Sequence, residues 1–252
     1  MGSPTGSAGQ EWIYGLHAVQ ALLKTESHRI TELRLLRGRQ DQRLQKLRNL
    51  AEQQEINITL ATRDELEALA PGNHQGVVAL CAKGEVHDEH FLVQLLDNLD
   101  HPARLLVLDG VTDPHNLGAC LRTADATGVD AVIAPKDKSA GITATVRKVA
   151  CGAAETIPFI VVTNLARCLR QIQEKGVWIV GTDGDAEENL YSANLTGPIA
   201  LVMGAEGAGM RRLTKEQCDY LVKLPMAGSV SSLNVSVATG VCLYEIVRQQ
   251  AS

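Results

Sequence analysis

The strongest indication of the fold lies at the end of the chain, which reads 220-YLVKLPMAGSVSSLNVSVATGVCLYEIV-247. An apolar run that ends at Leu224 and Pro225 is followed by a loop rich in glycine and serine, and an apolar, helix-like segment comes after Asn234. Small polar residues between two core-forming elements are typical of loops that hold a ligand. This stretch therefore predicts a binding loop between a buried strand and the last helix.

Two loops of the same kind lie upstream, and they read 109-DGVTDPHNLGACLRTADATG-128 and 201-LVMGAEGAGMRR-212. Each follows a short apolar run and precedes a helical pattern. Short strands that are apolar on both faces and alternate with helices predict a parallel sheet covered by helices. Because open α/β sheets bind ligands at the carboxyl ends of their strands, we expect the three loops to form one site.

The chain of 252 residues is long enough for two domains. Its first ten residues, MGSPTGSAGQ, read as a flexible tail. Alternating strand and helix patterns predict a small α/β domain over residues 11–84. The acidic stretch 85–102 predicts a linker whose second half forms a short helix, and residues 103–252 are expected to form the second domain.

Composition and motifs exclude several classes of protein. No apolar run approaches the ~20 residues that span a bilayer, and aromatic residues make up only 3% of the chain, which disfavours a stacking platform for single-stranded nucleic acid. Six scattered cysteines without a CxxC pair predict buried thiols in a reduced, cytoplasmic compartment and no zinc site. No GxGxxG follows the first strand of the second domain, and neither GxxxxGKS nor GxxxxGKT occurs, so dinucleotide and P-loop sites are disfavoured.

The net charge of −5 does not by itself indicate a nucleic-acid-binding protein. One short interval is nevertheless basic, because Asp41 alone opposes six cations there. These cations are Arg34, Arg37, Arg39, Arg43, Lys46 and Arg48. Such an interval is typical either of a solvated helix face or of a phosphate-facing patch on an appended domain, and both interpretations stay open at this point.

Together, the three loops resemble the motifs of the SPOUT superfamily of RNA methyltransferases, in its TrmH-like branch. The motifs are Asp113–Gly118 followed by Arg122, then Val202–Gly207, then Leu224–Met226 followed by Ser231–Ala238. Any one of them is moderately specific, but the three in this order are highly specific. The opening segment Ile13–Val19 is also similar to the start of the small substrate-binding domain of this branch, so the resemblance covers nearly the whole chain.

The resemblance implies a catalytic parallel-sheet domain with a deep trefoil knot and a small, L30e-like α/β domain that binds RNA. It also implies S-adenosylmethionine as the cofactor, a homodimer, and no metal ion. The implied reaction is methylation of a ribose 2′-hydroxyl, in the first place that of a guanosine in 23S rRNA. The alternatives are methylation of tRNA or of another rRNA site, and a non-catalytic role in RNA binding or ribosome assembly. An enzyme of small-molecule nucleotides is disfavoured by the missing phosphate loops.

The resemblance also selects the site residues. Arg122 is a conspicuous cation on a helix segment of small and apolar residues, and it is expected to carry the chemistry together with Asn116, Glu206 and Asn234. The residues expected to contact the cofactor are Thr182, Gly204, Leu224, Met226, Ser232 and Leu233. The residues expected to contact RNA are Arg34, Arg37, Arg39 and Arg43.

Several of these residues have a structural alternative. Asn116 and Asn234 each precede or begin a helix, so either could serve as an N-cap as well as a site residue. Arg122 could accept the hydroxyl proton, or it could stabilise the developing alkoxide, which does not require deprotonation of a guanidinium. Gly204 could admit the cofactor by its missing Cβ, or it could simply form a turn at the end of a strand.

Overall fold

The structure, a computed structural model, describes residues 9–39, 41–84 and 87–251. The described chain divides into two compact units. The first contains the described residues up to Gly84 together with Arg147–Thr156, and the second contains the remaining residues from His87 onward. Among the described residues, no helix is long and apolar enough to cross a membrane.

The first unit combines a four-stranded sheet with three helices. Its elements are β1 (Gln10–Tyr14), α1 (Leu16–Thr25), β2 (Ile30–Leu36), α2 (Gln42–Gln53), β3 (Ile58–Ala61), α3 (Arg63–Leu69) and β4 (Val77–Ala82). Strand β4 lies between β1 and β2 and is antiparallel to both, whereas β2 and β3 are parallel. Helices α2 and α3 begin where Asp41 and Thr62 accept hydrogen bonds from backbone N–H groups of the first turn.

This unit differs from the sequence prediction at both of its ends. Gln10, which the sequence assigns to the tail, is the first residue of β1 and pairs with Ala82 of β4, while residues 1–8 lie outside the described residues. The segment Arg147–Thr156 belongs to this unit and not to the second. The physical reason is a set of ionic contacts, because Arg147 donates to Glu11 at 3.0 Å and the buried carboxylate of Glu155 lies 3.8 Å from the guanidinium of Arg29.

The second unit alternates strands and helices along the chain. Its elements are α4 (Glu89–Asn98), β5 (Arg104–Asp109), α5 (Pro114–Ala126), β6 (Ala131–Pro135), α6 (Ala144–Ala150, which belongs to the first unit from Arg147 onward), β7 (Phe159–Val162), α7 (Leu165–Glu174), β8 (Trp178–Thr182), β9 (Glu188–Asn189), β10 (Ile199–Gly204), α8 (Arg212–Glu216), β11 (Tyr220–Lys223) and α9 (Val235–Gln250). Among these, only the two-residue strand β9 has no counterpart in the sequence prediction, because so short a segment shows no alternation.

The seven strands of the second unit form a single parallel sheet in the order β7-β6-β5-β10-β8-β11-β9. The parallel sheet predicted from the sequence is thus confirmed. The central strands β5 and β10 are buried along almost their whole length, as expected when helices cover both faces. Since all strands run the same way, their carboxyl ends meet at one edge, which we call the carboxyl edge.

Helix α4 lies inside the stretch that the sequence assigns to a linker. Asp88 caps it by accepting hydrogen bonds from the N–H groups of His90 and Phe91. Leu92 of this helix is 1% exposed and belongs to the core of the second unit. The predicted short helix is therefore present, and its apolar side chains make it part of that unit's packing.

The cysteines follow the prediction only in part. Four of the six are buried, namely Cys81, Cys120, Cys168 and Cys242, and burial raises the pKa of the Cys242 thiol to about 12. Cys218 is half-buried and Cys151 is exposed. A uniform assignment of all six as core residues was therefore wrong for these two, because composition alone does not fix the burial of a single small side chain.

Candidate functional site

The three loops singled out in the sequence meet at the carboxyl edge. Strand β10 lies directly between β5 and β8 in the sheet, and β11 is the next strand beyond β8. The loops that follow β5, β10 and β11 therefore leave the sheet side by side. The topology thus brings Asn116 close to Glu206 and Asn234, which lie 90 and 118 residues further along the chain.

Asn116 is placed by a helix cap that it does not itself provide. Helix α5 begins at Pro114, whose fixed φ suits the first helical position, and Asp113 caps it by accepting a hydrogen bond from the N–H group of His115 at 3.0 Å. Of the two roles that the sequence left open for Asn116, the structure therefore excludes the helix cap. Because Asp113 takes that role, the Asn116 side chain is available for contacts with other loops.

A chain of side-chain hydrogen bonds connects three of the predicted site residues. The Nδ2 of Asn234 donates to Oδ1 of Asn116 at 3.0 Å, and Nδ2 of Asn116 lies 3.5 Å from Oε2 of Glu206. The second contact is at the outer limit of a hydrogen bond. We call these three residues the amide network; it joins one residue from each of the three loops.

Asn234 combines two roles, as its position in the sequence allowed. Its Oδ1 accepts from the N–H group of Ser236 at 2.9 Å and from the Ser236 hydroxyl at 2.6 Å, so it caps helix α9. The cap fixes which way its amide faces, because Oδ1 is occupied and only Nδ2 remains to reach Asn116. The predicted N-cap is confirmed, and the cap orients the amide network.

Glu206 lies at the tip of a tight loop. Ala205 and Gly209 close this loop by exchanging two backbone hydrogen bonds of 3.0 and 2.9 Å. The closure explains Gly204, because a Cβ at that position would lie 2.3 Å from the carbonyl carbon of Gly209 and 2.3 Å from the nitrogen of Met210. The missing side chain at Gly204 is thus required by its own loop, which is the structural alternative stated above.

Arg122 lies on α5, six residues after Asn116, which is nearly two turns of helix. Its side chain is exposed, as are those of Glu206 and Asn234. An exposed cation on the helix that also carries Asn116 is accessible to an anionic ligand. The four residues predicted to carry the chemistry therefore lie on elements that start at the same edge of the sheet.

The predicted cofactor residues lie at the ends of β8, β10 and β11. Thr182 ends β8, and its hydroxyl donates to the carbonyl of Val202 at 3.1 Å, which links β8 to β10. The loop of residues 224–233, which contains Leu224, Met226, Ser232 and Leu233, makes no backbone–backbone hydrogen bond with the described part of the chain. Its N–H and C=O groups are therefore free of backbone partners and can bind a polar ligand.

The four basic residues expected to contact RNA fall into two kinds. Arg34 bonds to Glu32 at 2.9 and 3.2 Å and its guanidinium lies 5.2 Å from the Trp12 ring centroid. The bond from Arg34 is the main reason why the pKa of the Glu32 carboxyl lies below its usual value. Arg39 pairs with Asp41 and donates to the carbonyl of Gln75 at 2.8 Å.

Arg37 and Arg43 are different. Both side chains are exposed, and neither forms an ion pair with any residue that the structure describes. Two of the four predicted cations are thus neutralised locally by acids two residues away, and two remain available to a phosphate. The described residues also contain no group of three or more histidine, cysteine or acidic side chains that could hold a metal ion.

Asp109 and Arg211 are two residues of this edge that the sequence analysis missed. Asp109 is the last residue of β5, and its side chain is fully buried against the guanidinium of Arg211. The aspartate at the end of the apolar run RLLVLD could have indicated such a pair, because a buried carboxylate requires a partner.

Comparison with known proteins finds matches along nearly the whole chain. Residues 103–244 match the SpoU rRNA Methylase family, and residues 12–86 match a family described as RNA 2′-O ribose methyltransferase substrate binding. The chain is 60% identical over 240 residues to the 23S rRNA (guanosine-2′-O-)-methyltransferase RlmB of Pseudomonas putida, covering 95% of this chain and 97% of that one. It is 58% identical over 242 residues to the protein of the same name from Escherichia coli K12, covering 96% and 99%.

Solved structures share the fold. The SpoU methyltransferase AviRb from Streptomyces viridochromogenes, in complex with AdoMet, superposes with a TM-score of 0.80 at 24% identity, covering 97% of this chain and 92% of that one. A second structure, described as an RNA 2′-O ribose methyltransferase, superposes with a TM-score of 0.78 at 25% identity, covering 98% and 91%. At such identities the superpositions establish the architecture.

Proposed function

The chain belongs to the SpoU rRNA methylase family, and on this basis we propose that it transfers a methyl group from S-adenosylmethionine to the 2′-hydroxyl of a guanosine in 23S rRNA. The observation that carries the proposal is the near-full-length identity of 58–60% to two guanosine-2′-O-methyltransferases of 23S rRNA. The amide network supports it further, because side chains from all three motifs are in place at one edge of the sheet.

The reaction needs correct placement of a ribose hydroxyl and stabilisation of the charge that develops on it. Bound S-adenosylmethionine supplies an electrophilic methyl group, so the protein mainly positions and polarises. We infer that the amide network performs the positioning. Glu206 fixes the orientation of the Asn116 amide from one side and Asn234 fixes it from the other, so Asn116 presents a defined donor and acceptor pair to a ribose.

Arg122 is assigned the electrostatic part of the reaction. A guanidinium is very hard to deprotonate in a protein. Of the two roles open to Arg122, acceptance of the hydroxyl proton is therefore the less favourable. As a permanent cation it can stabilise the negative charge that develops on the 2′-oxygen as this oxygen bonds to the methyl carbon, the carbon–sulfur bond breaks and the hydroxyl proton passes to water, or it can hold the neighbouring phosphate. Its exposure and its place on the helix of Asn116 support this assignment.

The residues at the ends of β8, β10 and β11 would hold the cofactor. Residues 224–233 offer backbone N–H and C=O groups without backbone partners, which suit the polar edges of an adenine and the polar groups of a methionine moiety. Leu233 is 37% exposed and Met226 is half-buried, so apolar surface lies beside these polar groups. A mixed apolar and polar loop of this kind fits a nucleoside, and the residues present therefore fit the cofactor.

For the first unit we propose that Arg37 and Arg43 contact the phosphates of the RNA substrate. They are the two predicted cations without an ion pair among the described residues, so neither must break a salt bridge to bind a phosphate. Arg34 and Arg39 are proposed to shape this surface, because each already bonds to an acid and a further group. The match of residues 12–86 to a substrate-binding family supports this division of roles.

We also propose a homodimer that contains helix α9 in its interface. Val237 and Tyr244 on this helix are 53% and 56% exposed, and Val241 lies between them at helical spacing. An exposed apolar stripe is typical of a surface that binds a protein. Because α9 begins at Asn234, a second copy on this stripe would lie close to the amide network. A cytoplasmic location and the deep trefoil knot of the family stay predictions for this chain.

The proposal is tested by incubating the protein with methyl-labelled S-adenosylmethionine and either 23S rRNA transcribed in vitro or bulk tRNA. We expect label in a single guanosine of 23S rRNA, recovered as a dinucleotide that resists alkali because its 2′-oxygen is blocked. Label in tRNA alone would keep the chemistry and overturn the substrate. A protein that binds RNA and cofactor yet labels neither would overturn the enzymatic function in favour of a binding role.

A further inference from the structure

The buried carboxylate of Asp109 is the most completely bonded charged group at the carboxyl edge. Its side chain is 0% exposed and stands at the end of β5, immediately before the loop that leads to Asn116. An ionised carboxylate out of contact with water requires a charged or hydrogen-bonding partner. The bonding partner of Asp109 therefore identifies the segment that must lie beside the end of β5 when this edge forms.

Within the described part of the chain, Arg211 provides each of the bonds to this carboxylate. Its backbone N–H donates to Oδ2 at 2.8 Å, its Nε donates to Oδ1 at 2.6 Å, and its Nη2 lies 2.6 Å from Oδ1. Residues 109 and 211 are far apart in the sequence, so this contact fixes the end of one strand to the loop that follows another. A planar guanidinium can make such a set of bonds, whereas the point charge of a lysine cannot.

A second contact between the same loops lies beside this pair. Gly110 has a φ of +90°, and a Cβ at this position would lie 3.3 Å from the Cβ of Ala205. Ala205 is the residue that begins the closed turn with Glu206 at its tip. The loop after β5 and the loop after β10 are therefore held together at their bases by Asp109, Arg211 and the close approach of Gly110 to Ala205.

We propose that Arg211 is a positioning residue for methyl transfer: by binding Asp109 it sets the position of Glu206 and, through Glu206, the orientation of the Asn116 amide. Arg211 follows the turn of residues 205–209, and its backbone N–H bonds to Asp109, so a displacement of Arg211 is expected to shift the turn and its tip. The contact between Glu206 and Asn116 is already 3.5 Å long, and a small displacement of the tip breaks it. The inference rests on the proposed function, because it deepens the role given there to the amide network.

The test compares Arg211→Lys and Arg211→Gln with the wild-type protein under single-turnover conditions at saturating RNA and cofactor. A displacement of about 1 Å in a positioning group lowers the rate of transfer by up to about 10²-fold, so we expect a loss of ~10-fold for lysine and up to ~10²-fold for glutamine. Binding of S-adenosylmethionine and of RNA, measured by titration, should change by less than about threefold, because the Arg211 guanidinium is engaged by Asp109. Arg212→Gln is the matched control, since the Arg212 side chain is 78% exposed and pairs with Glu216 on the surface.

The decisive experiment introduces Arg211→Lys into the Glu206→Gln variant and compares the loss of rate with that in the wild-type protein. If Arg211 acts through Glu206, the two effects are not additive, and lysine at 211 costs less than about twofold in that background. Equal losses of the transfer rate in both backgrounds would make Arg211 a structural residue and overturn the proposal. A fall in cofactor binding that parallels the fall in rate would do the same. So would full activity of Glu206→Gln.

A spectroscopic readout keeps the proposal testable if Glu206→Gln has no measurable transfer or if Arg211→Gln does not fold. The side-chain amide resonances of Asn116 are expected to shift in Arg211→Lys as they do in Glu206→Gln, and to stay in place in Arg212→Lys. Unchanged Asn116 resonances in Arg211→Lys would refute the positioning role. In the double variant Asp109→Asn with Arg211→Gln, which removes both charges together, the fold should be retained and the Asn116 resonances should still shift. A wild-type protein without methyl transfer would instead overturn the proposed function, and the resonance measurement would still decide whether Arg211 orients Asn116.

Discussion

The molecule contains two polar clusters of opposite character, one in each unit. In the first unit, Glu155, Arg147 and Arg29 form an ionic cluster whose side chains are 1%, 13% and 9% exposed. At the carboxyl edge of the second unit, the amide network is open to solvent at Glu206 and Asn234 and is joined by one neutral bond and one long contact. The contrast indicates that the buried cluster is suited to holding a segment in place, whereas the open network is suited to meeting a ligand.

The two clusters also differ in how completely their groups are bonded. Arg147 reaches both Glu155 and Glu11, and Arg29 also donates to the carbonyl of Ala82 at 3.1 Å. In the amide network the contact between Nδ2 of Asn116 and Glu206 is 3.5 Å long, so a ribose can replace or extend this contact at little cost. Substitutions in the two clusters should therefore change different measurable quantities.

The strongest effect should be on catalysis, through the open network. Asn116→Ala removes the central amide, and loss of such a preorganised group lowers the rate of methyl transfer by ~10²–10³-fold. Because the network is exposed, the free energy of unfolding should change by less than about 1 kcal/mol. Single-turnover transfer and urea unfolding measure the two quantities on the same preparation.

Asn164→Ala is the matched control for this prediction. Asn164 caps α7 by accepting from the N–H group of Arg167 at 3.0 Å, and its loss should cost about 1 kcal/mol of stability without affecting transfer. Equal rates of methyl transfer for Asn116→Ala and Asn164→Ala would show that the amide network does not contribute to the reaction.

The next effect is on stability in the buried cluster. Glu155→Ala removes the most deeply buried carboxylate of the cluster. Arg147 and Arg29 then keep Glu11 as an acidic partner, so the free energy of unfolding should fall by about 1–3 kcal/mol. The surface control Glu216→Ala, in a pair whose side chains are 78% and 50% exposed, should change it by less than about 1 kcal/mol. If both variants unfold at the same urea concentration, the cluster does not hold Arg147–Thr156 in place.

A weaker effect should be seen on RNA binding by the first unit. The double variant Arg37→Gln with Arg43→Gln removes two unpaired cations, so the slope of log affinity against log salt should fall by about one for each phosphate that is no longer neutralised. The double variant Arg34→Gln with Arg39→Gln should change this slope less, because both cations are already paired. Equal slopes for the two double variants would show that the local acids do not decide which arginines meet RNA.

The weakest effect should be a dependence of stability on acidic pH, which arises from an ion pair within α9. Hydrogen bonds from Arg248, opposed by burial and assisted by Gln249, lower the pKa of Glu245 to about 2, against an ordinary value of 4.5. A carboxyl whose pKa is lower in the folded state stabilises fully above its unfolded pKa and loses that contribution as the pH falls from about 4.5 towards 2. Glu245→Gln should therefore lose less stability than the wild-type protein between pH 5 and pH 2, and a parallel loss would contradict the pairing.

The fold of the second unit could be predicted from the sequence because its strands are buried on both faces and its helices have clear caps. Asn164 and Asn234 begin α7 and α9 as their positions indicate. Strand β1 was missed because it is a short strand that directly precedes a helix. Helix α4 was predicted within the linker from its apolar residues at helical spacing, and Leu92 packs into the core as that pattern indicates.

The proximity of three motif residues was predictable from the sequence, but their bonds were not. The motif residues Asn116, Glu206 and Asn234 meet as expected, yet which side chain caps α5 depends on whether the helix begins at Pro114 or at Asn116. The pairing of Asp109 with Arg211 depends on the order of strands in the sheet, which a single sequence does not specify. Likewise, the local acids that neutralise Arg34 and Arg39 become apparent only when side-chain directions are known.

The proposal that the carboxyl edge methylates a guanosine ribose is best tested on the nucleosides of the RNA product. Unmodified 23S rRNA is incubated with S-adenosylmethionine and either the wild-type protein or Asn116→Ala, digested completely, and analysed by mass spectrometry. We predict one 2′-O-methylguanosine per 23S rRNA with the wild-type protein and little or none with the variant in the same time. A guanosine methylated on its base, or equal yields from the two proteins, would contradict the proposal.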